Sequence, residues 1–234
     1  MHAQRIFQAG VVGVFGGDVF IGHFAVGFAA KKPAPRVPLA LLMAAVAWAD
    51  ILWTVFLFMG WEHARIAPGD TRYTPIDLYD YPWSHSLVML IVWGALLGGV
   101  YWLWKKDAPG AWVVGGCVVS HWVLDWVTHR ADMPLYPGGA KLGLGLWNSI
   151  AGTMVVEIAM YAAGVWIYMK ANRAKNWKGR YVAWAFVVVL LVIFCADRFS
   201  PPPGSMTEVA QTGLIATVVT ILWVWWFDRN REAV

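Results

Sequence analysis

Charged residues are scarce in this chain, at 14% of its 234 residues, whereas an ordinary soluble domain carries about 25%. The hydrophobic set makes up 59%, which argues against both a soluble globular enzyme and a disordered chain. The only two cysteines, Cys117 and Cys195, lie far apart in apolar runs, so neither a disulfide framework nor a cysteine zinc site is expected. The net charge of +4 includes no block of lysine or arginine, so we expect no nucleic-acid partner.

Long apolar runs take up most of the chain instead. A spanning helix needs about 20 mostly apolar residues. Six stretches come close to that length: 39–60, 85–104, 111–128, 148–169, 181–196 and 212–227. The last two are short and should tilt or extend into their flanks. With a glycine-rich seventh candidate at 6–30, the sequence predicts an all-α, polytopic transmembrane helical bundle of six to seven membrane segments, forming a single domain over 1–234 in a lipid bilayer.

Lysine and arginine predict which way the bundle faces. Most of the 18 lie in alternate connections, at 31–38, 105–110 and 170–180, and in the C-terminal tail. Positively charged loops stay in the cytoplasm. These connections and the C-terminus should therefore be cytoplasmic, and the segments 61–83 and 129–147 should form outer loops. Glu62 and His63 are then expected to be solvated.

Five ionisable residues fall inside the predicted helices: His23, Asp50, His121, Asp125 and Glu157. A carboxylate near the bilayer centre costs about 2.5–3.5 kcal/mol on insertion scales, so three of them need a metal ion, bound protons or a water-filled cavity. At a rise of about 1.5 Å per residue, all five lie at similar depths near the midplane. A shared internal site is the simplest explanation.

His121 and Asp125 are four residues apart and share one helix face, as does His129. A histidine and a carboxylate at this spacing can bind one divalent ion, although a hydrogen-bonded helix interface would use the same pattern. Measured along a continuous helix, His85 lies about 10 Å above the others. It could line the mouth of the cavity, or its helix could begin earlier and sit lower in the membrane.

The sequence also resembles a bacterial inner-membrane family described as membrane-bound, metal-dependent hydrolases. The resemblance covers about residues 20–137 and rests on four short elements: Phe20-Ile21-Gly22-His23, Ala49-Asp50, Ser84-His85-Ser86 and Ser120-His121-Trp122-Val123-Leu124-Asp125. It implies an inner-membrane location and a hydrolytic site. Relatives begin just before the first element, so residues 1–18 would be an N-terminal extension, and the first segment a half-helix packed against the bundle.

Three functions are compatible with this pattern. In the first, His23, Asp50, His85, His121 and Asp125 hold a divalent metal, most simply zinc, with Glu157 as catalytic general base, and hydrolyse a lipid or lipid-linked ester or phosphodiester near the outer leaflet. In the second, the same groups form the proton relay of a transporter or permease. In the third, the chain is a non-catalytic membrane subunit whose polar groups only specify helix packing.

Overall fold

The computed structural model describes residues 21–234. Within them, five helices are long and apolar enough to cross a membrane, and a bent pair supplies a sixth span, which confirms the predicted all-α transmembrane bundle. The helices are α1 (Ile21–Ala30), α2 (Leu39–Val46), α3 (Trp48–Met59), α4 (Pro82–His85), α5 (Leu87–Lys105), α6 (Ala108–Thr128), α7 (Ile150–Ala171), α8 (Ala183–Asp197) and α9 (Met206–Asp228). Three antiparallel strand pairs join β1 (His63–Ile66) to β2 (Ile76–Asp80), β3 (Met133–Pro134) to β4 (Lys141–Leu142), and β5 (Asn172–Ala174) to β6 (Arg231–Ala233).

The predicted span 39–60 is broken. Helices α2 and α3 meet at Ala47 with a bend of 56°. A bend of this size interrupts the ladder of backbone hydrogen bonds, so a carbonyl near the break can accept from a side chain instead. The span ends at Gly60, whose φ of +70° is the left-handed conformation common at helix C-termini.

The other helix boundaries follow local caps. Helix α5 begins after Ser86, whose hydroxyl accepts from the amide of Met89. His85 therefore lies on the separate short helix α4 and not on the predicted span 85–104. Helix α9 begins six residues earlier than predicted because Ser205 caps it, and a π-helical turn (Lys178–Val182) lengthens α8. Both short segments thus extend into their flanks, as expected.

Glycines bring the backbones of α5 and α6 into contact. A Cβ added to Gly94 on α5 would lie 2.8 Å from the carbonyl oxygen of Gly115 on α6. The two backbones therefore touch, which is the usual role of small residues between membrane helices. This contact fixes α6, the helix that carries His121 and Asp125, against its neighbour.

The seventh predicted segment, 6–30, lies within the described residues only from residue 21 onward, and the predicted extension 1–18 lies outside them. Its described part, α1, is a ten-residue helix that packs against α2, α6 and α7. Buried small residues and Phe28 line this packing, so α1 carries His23 into the bundle interior.

The two ends of the bundle differ in structure. At one end, called the loop end here, the connections 60–81 and 129–149 meet: Arg130 forms ion pairs with Asp70 and Asp77, and Lys141 donates to the carbonyl of Tyr79. The opposite end, called the basic end, holds the β5–β6 pair and most of the lysine and arginine residues. The predicted outer loops therefore do lie together, although they contain short strands that the sequence pattern did not indicate.

Candidate metal centre

The structure brings all five residues predicted as metal ligands to one place. Their ligand atoms form two sets within 4.8 Å of one another, and both sets include His121. The first set is His23, His121 and Asp125; the second is Asp50, His85 and His121. They come from α1, α3, α4 and α6. The meeting of His23, Asp50, His121 and Asp125 agrees with their expected depths, and His85 joins them from the separate helix α4. Four of the five residues are buried, and Asp50 is the exception.

The spacing of the donor atoms suits a single small cation. His121 Nε2 lies 3.0 Å from Asp125 Oδ2 and 3.6 Å from Asp50 Oδ1. His85 Nε2 lies 3.5 Å from the same Asp50 oxygen and 3.8 Å from Asp125 Oδ2. Ligands about 2.1 Å from a tetrahedral zinc ion are about 3.4 Å apart. These separations therefore need little adjustment to hold an ion.

The break between α2 and α3 fixes the ring of His121. Its Nδ1 lies 2.7 Å from the carbonyl oxygen of Val46, the last residue of α2. A carbonyl can only accept, so Nδ1 carries a proton and donates to it, and Nε2 faces Asp50 and Asp125. Metal-binding histidines are oriented in this way, by a hydrogen bond from the ring nitrogen that does not bind the ion.

A buried carboxylate orients His85 in the same manner. Ser84 Oγ donates to Glu62 Oε2 at 2.6 Å and, its one proton being used, accepts from His85 Nδ1 at 2.7 Å. Glu62 also accepts from the amides of Trp83 and Ser84 at the start of α4. The expectation of a solvated Glu62 is wrong: it is only 1% exposed, because it satisfies the free amides of a short buried helix. Burial raises the pKa of Glu62 despite the hydrogen bonds from Ser84.

Glu157 lies beside the site and not in it. Its Oε2 accepts from the amide of Gly22 at 2.6 Å, and a Cβ at Gly22 would approach the same carboxylate to 2.9 Å. The next residue, His23, places its Nε2 3.1 Å from Asp125 Oδ1. Glu157 therefore anchors the part of α1 that presents His23. Its predicted role as general base stays a prediction.

A fourth histidine extends the cluster toward the loop end. His129 Nε2 lies 4.0 Å from Asp125 Oδ2, and its Nδ1 lies 3.0 Å from Asp132 Oδ1. The hydroxyl of Tyr81 donates to the same Asp132 oxygen at 3.1 Å. Asp132 accepts from Nδ1, and Nε2 of His129 faces the site. Sequence reasoning placed His129 on the right helix face but left it out of the site.

A cavity of about 130 Å³ adjoins the cluster. At one side lie Asp50, His85, Asp125 and His129, and α9 closes the other. The side chain of Asp50 is 53% exposed, because it projects into this space. The site thus combines buried ligands with one accessible carboxylate, as a site that admits water and a substrate requires.

Three residues that support the site are not indicated by the sequence analysis: Tyr81, Glu62 and Asp132. Tyr81 contacts His129 from 48 positions away, and Glu62 reaches His85 through Ser84, 22 positions from it. The i, i+3 spacing of His129 and Asp132 was the one pattern that could have identified a pair in advance.

Comparison with known proteins adds one finding. Residues 82–199 match the model of the YdjM inner membrane protein family, which is half of the chain. The match includes His85, His121 and Asp125 and leaves out His23 and Asp50. No curated protein and no solved structure matches the chain.

Proposed function

We propose that this chain, which belongs to the YdjM inner membrane protein family, is a membrane-embedded, metal-dependent hydrolase of a lipid or lipid-linked substrate. The chain is a multi-pass inner-membrane protein, and the proposal concerns what its buried polar cluster does. One observation carries it. In three histidines, His85, His121 and His129, Nδ1 donates a hydrogen bond to an oxygen outside the cluster. Their Nε2 atoms face the carboxylates of Asp50 and Asp125 inside an apolar bundle.

The residues that would hold the ion are His23, Asp50, His85, His121 and Asp125, whose nitrogen and oxygen donors suit zinc. When bound, such an ion lowers the pKa of a coordinated water to about 7 and polarises a carbonyl or phosphoryl oxygen. Two carboxylates and a divalent cation also balance in charge, which makes the burial of Asp125 tolerable.

His129 is better placed than Glu157 to accept a proton from the attacking water. It lines the cavity, and its Nδ1 lies within hydrogen-bond distance of Asp132 and of the Tyr81 hydroxyl, which fixes the orientation of the ring. A base must reach the proton that it takes, and Glu157 is not among the residues that line the cavity. Glu157 instead fixes His23 through Gly22.

The proposed place of reaction is the outer half of the membrane. The cavity lies between apolar spanning helices, so a substrate with a hydrocarbon part can reach it from the bilayer. Lysine and arginine are concentrated at the basic end, which by the positive-inside rule faces the cytoplasm. The loop end, beside which the cluster lies, would then face outward.

Metal-dependent turnover tests this function. Purified chain is stripped with a chelator, reloaded with Zn²⁺ and assayed with chromogenic esters and phosphodiesters in detergent micelles. We expect activity only in the reloaded form, its loss in His121→Ala, and a fall in kcat of about 10²–10⁴-fold with zinc retained in His129→Gln. His63→Gln is the matched control, because His63 is exposed and pairs with Asp80. Reloaded wild-type chain without hydrolytic activity would refute the proposal.

A transporter is the second candidate, and one observation favours it. The broken span places Asp50 three residues after the bend at Ala47, and broken helices often carry the ion sites of transporters. Ion or proton flux in proteoliposomes that Asp50→Asn abolishes, without metal-dependent hydrolysis, would favour this candidate over the hydrolase.

A further inference from the structure

The cavity beside the cluster is lined by two kinds of side chain. Its polar wall consists of the histidine and aspartate side chains of the site. The other lining residues are apolar or small, among them Phe24, Trp53, Leu190 and Val209, with hydroxyl groups from three threonines. A substrate that fills this space must therefore present one polar group to the site and hydrocarbon to the remainder.

Charge limits what that polar group can be. No lysine or arginine lines the cavity among the residues that the structure describes. The negative charges of Asp50 and Asp125 would already neutralise the two positive charges of a divalent ion. A phosphodiester would bring a further negative charge into a desolvated space without a cation to pair it, and unpaired buried charge is strongly unfavourable. A carbonyl ester brings no charge.

Space for the hydrocarbon lies along α9. A Cβ added at Gly213 would meet no atom within 4 Å, so this helix position opens onto the cavity. The neighbouring wall residues, Val209 and Ala216, are 5% and 8% exposed and offer only apolar surface. The small side chains on this face leave room that a larger residue would occupy.

We infer that the substrate is an uncharged acyl ester of a lipid, with its carbonyl at the His/Asp cluster and its acyl chain along α9. This inference rests on the proposed function and narrows it. Water is the co-reactant: its oxygen bonds to the acyl carbon, the acyl carbon–oxygen bond breaks, and a water proton ends on the leaving alkoxide. The products are a fatty acid and an alcohol.

The test compares p-nitrophenyl acyl esters with bis-p-nitrophenyl phosphate on the zinc-loaded full-length chain. We expect zinc-dependent hydrolysis of the ester above its uncatalysed rate and none of the diester, since only the diester brings an unpaired charge. Zinc-dependent hydrolysis of the diester that His121→Ala abolishes would overturn the substrate class and leave the hydrolase intact. Hydrolysis of neither would overturn the hydrolase and this inference with it.

A cavity-filling variant tests the place of the acyl chain. Gly213→Leu should lower hydrolysis of the dodecanoyl ester about tenfold and of the acetyl ester less than about twofold, with zinc content unchanged. Gly99→Leu on α5 is the matched control, because that position is also open but does not line the cavity. Equal loss for both esters in Gly213→Leu would overturn the placement. Should Gly213→Leu fail to fold, Ala216→Leu on the same wall replaces it with the same expectation.

Discussion

Two carboxylates in the bundle, Asp228, which is partly buried, and Asp125, which is buried, have opposite surroundings. At the basic end, Asp228 accepts from Lys31 Nζ at 3.3 Å, from the amide of Leu39 at 3.0 Å and from the hydroxyl of Tyr168 at 2.8 Å. Its partners include a permanent cation, and Lys31 also donates to the carbonyl of Val37. Such a network needs nothing further and stabilises the packing of α1, α2, α7 and α9.

Among residues 21–234, Asp125 has no lysine or arginine as an ion-pair partner. It is surrounded instead by the Nε2 atoms of four histidines, at least three of which use Nδ1 elsewhere. The difference shows how a structural carboxylate and a candidate ligand can be told apart inside one bundle. The first is paired with a lysine, whereas the second faces histidine nitrogens, which can also bind a metal cation.

The largest expected effect is on stability at the basic end. Asp228→Ala leaves Lys31 buried without its carboxylate, which should cost about 3 kcal/mol and lower Tm by roughly 6–12 °C. Asp125→Ala should lower Tm of the metal-free chain by much less, because it removes a charge that lacks a permanent partner. The measurement is the Tm of thermal unfolding of both variants and of wild type, each without metal. A larger loss in Asp125→Ala would contradict this expectation.

A smaller effect, on zinc affinity, is expected at Glu62, which orients His85 through the hydroxyl of Ser84. Glu62→Ala should weaken zinc affinity about 10–100-fold, the usual cost of losing a residue that orients a ligand. Competition with a chromophoric zinc chelator measures it. Glu232→Ala is the control, since that residue pairs with Arg173 on the exposed surface of the basic end. Unchanged affinity in Glu62→Ala would remove Glu62 from the site.

The smallest effect is expected at the anchor of α1. In Gly22→Ala the new Cβ would press on the Glu157 carboxylate at 2.9 Å and shift His23. Zinc affinity should fall about tenfold, at the low end of the range for such indirect changes. Gly116→Ala on α6 meets no atom within 4 Å and should bind zinc as wild type does. Equal affinities in the two variants would mean that His23 does not contribute.

The fold class and the meeting of distant polar residues could be predicted from the sequence, for a physical reason. Apolar runs of fixed length define the spans, and a constant rise per residue converts chain position into depth. Asp50, His121 and Asp125 were therefore placed at one level before any contact was known. The i, i+4 contact of His121 with Asp125 follows from helix geometry alone.

Other features depend on contacts between segments far apart in the chain. The sequence leaves the depth of His85 open between the cavity mouth and a lower position. The structure shows the lower position, because the chain turns at Ser86 and His85 Nε2 lies 3.8 Å from Asp125 Oδ2. Glu62 was assigned to solvent because nothing nearby in the sequence pairs with it, and its partners lie 21 and 22 positions away. The bend at Ala47 could not be predicted, because neither proline nor glycine occurs at the break between the two helices.

Metal content of the purified protein tests the central claim most directly. Elemental analysis of wild type, His121→Ala, Asp125→Ala and the folded Asp228→Ala variant separates the two carboxylates in one experiment. We predict about one divalent ion per wild-type chain, its retention in Asp228→Ala, and its loss in the two ligand variants. Equal metal in wild type and both ligand variants, or none in wild type after incubation with Zn²⁺, would contradict the account.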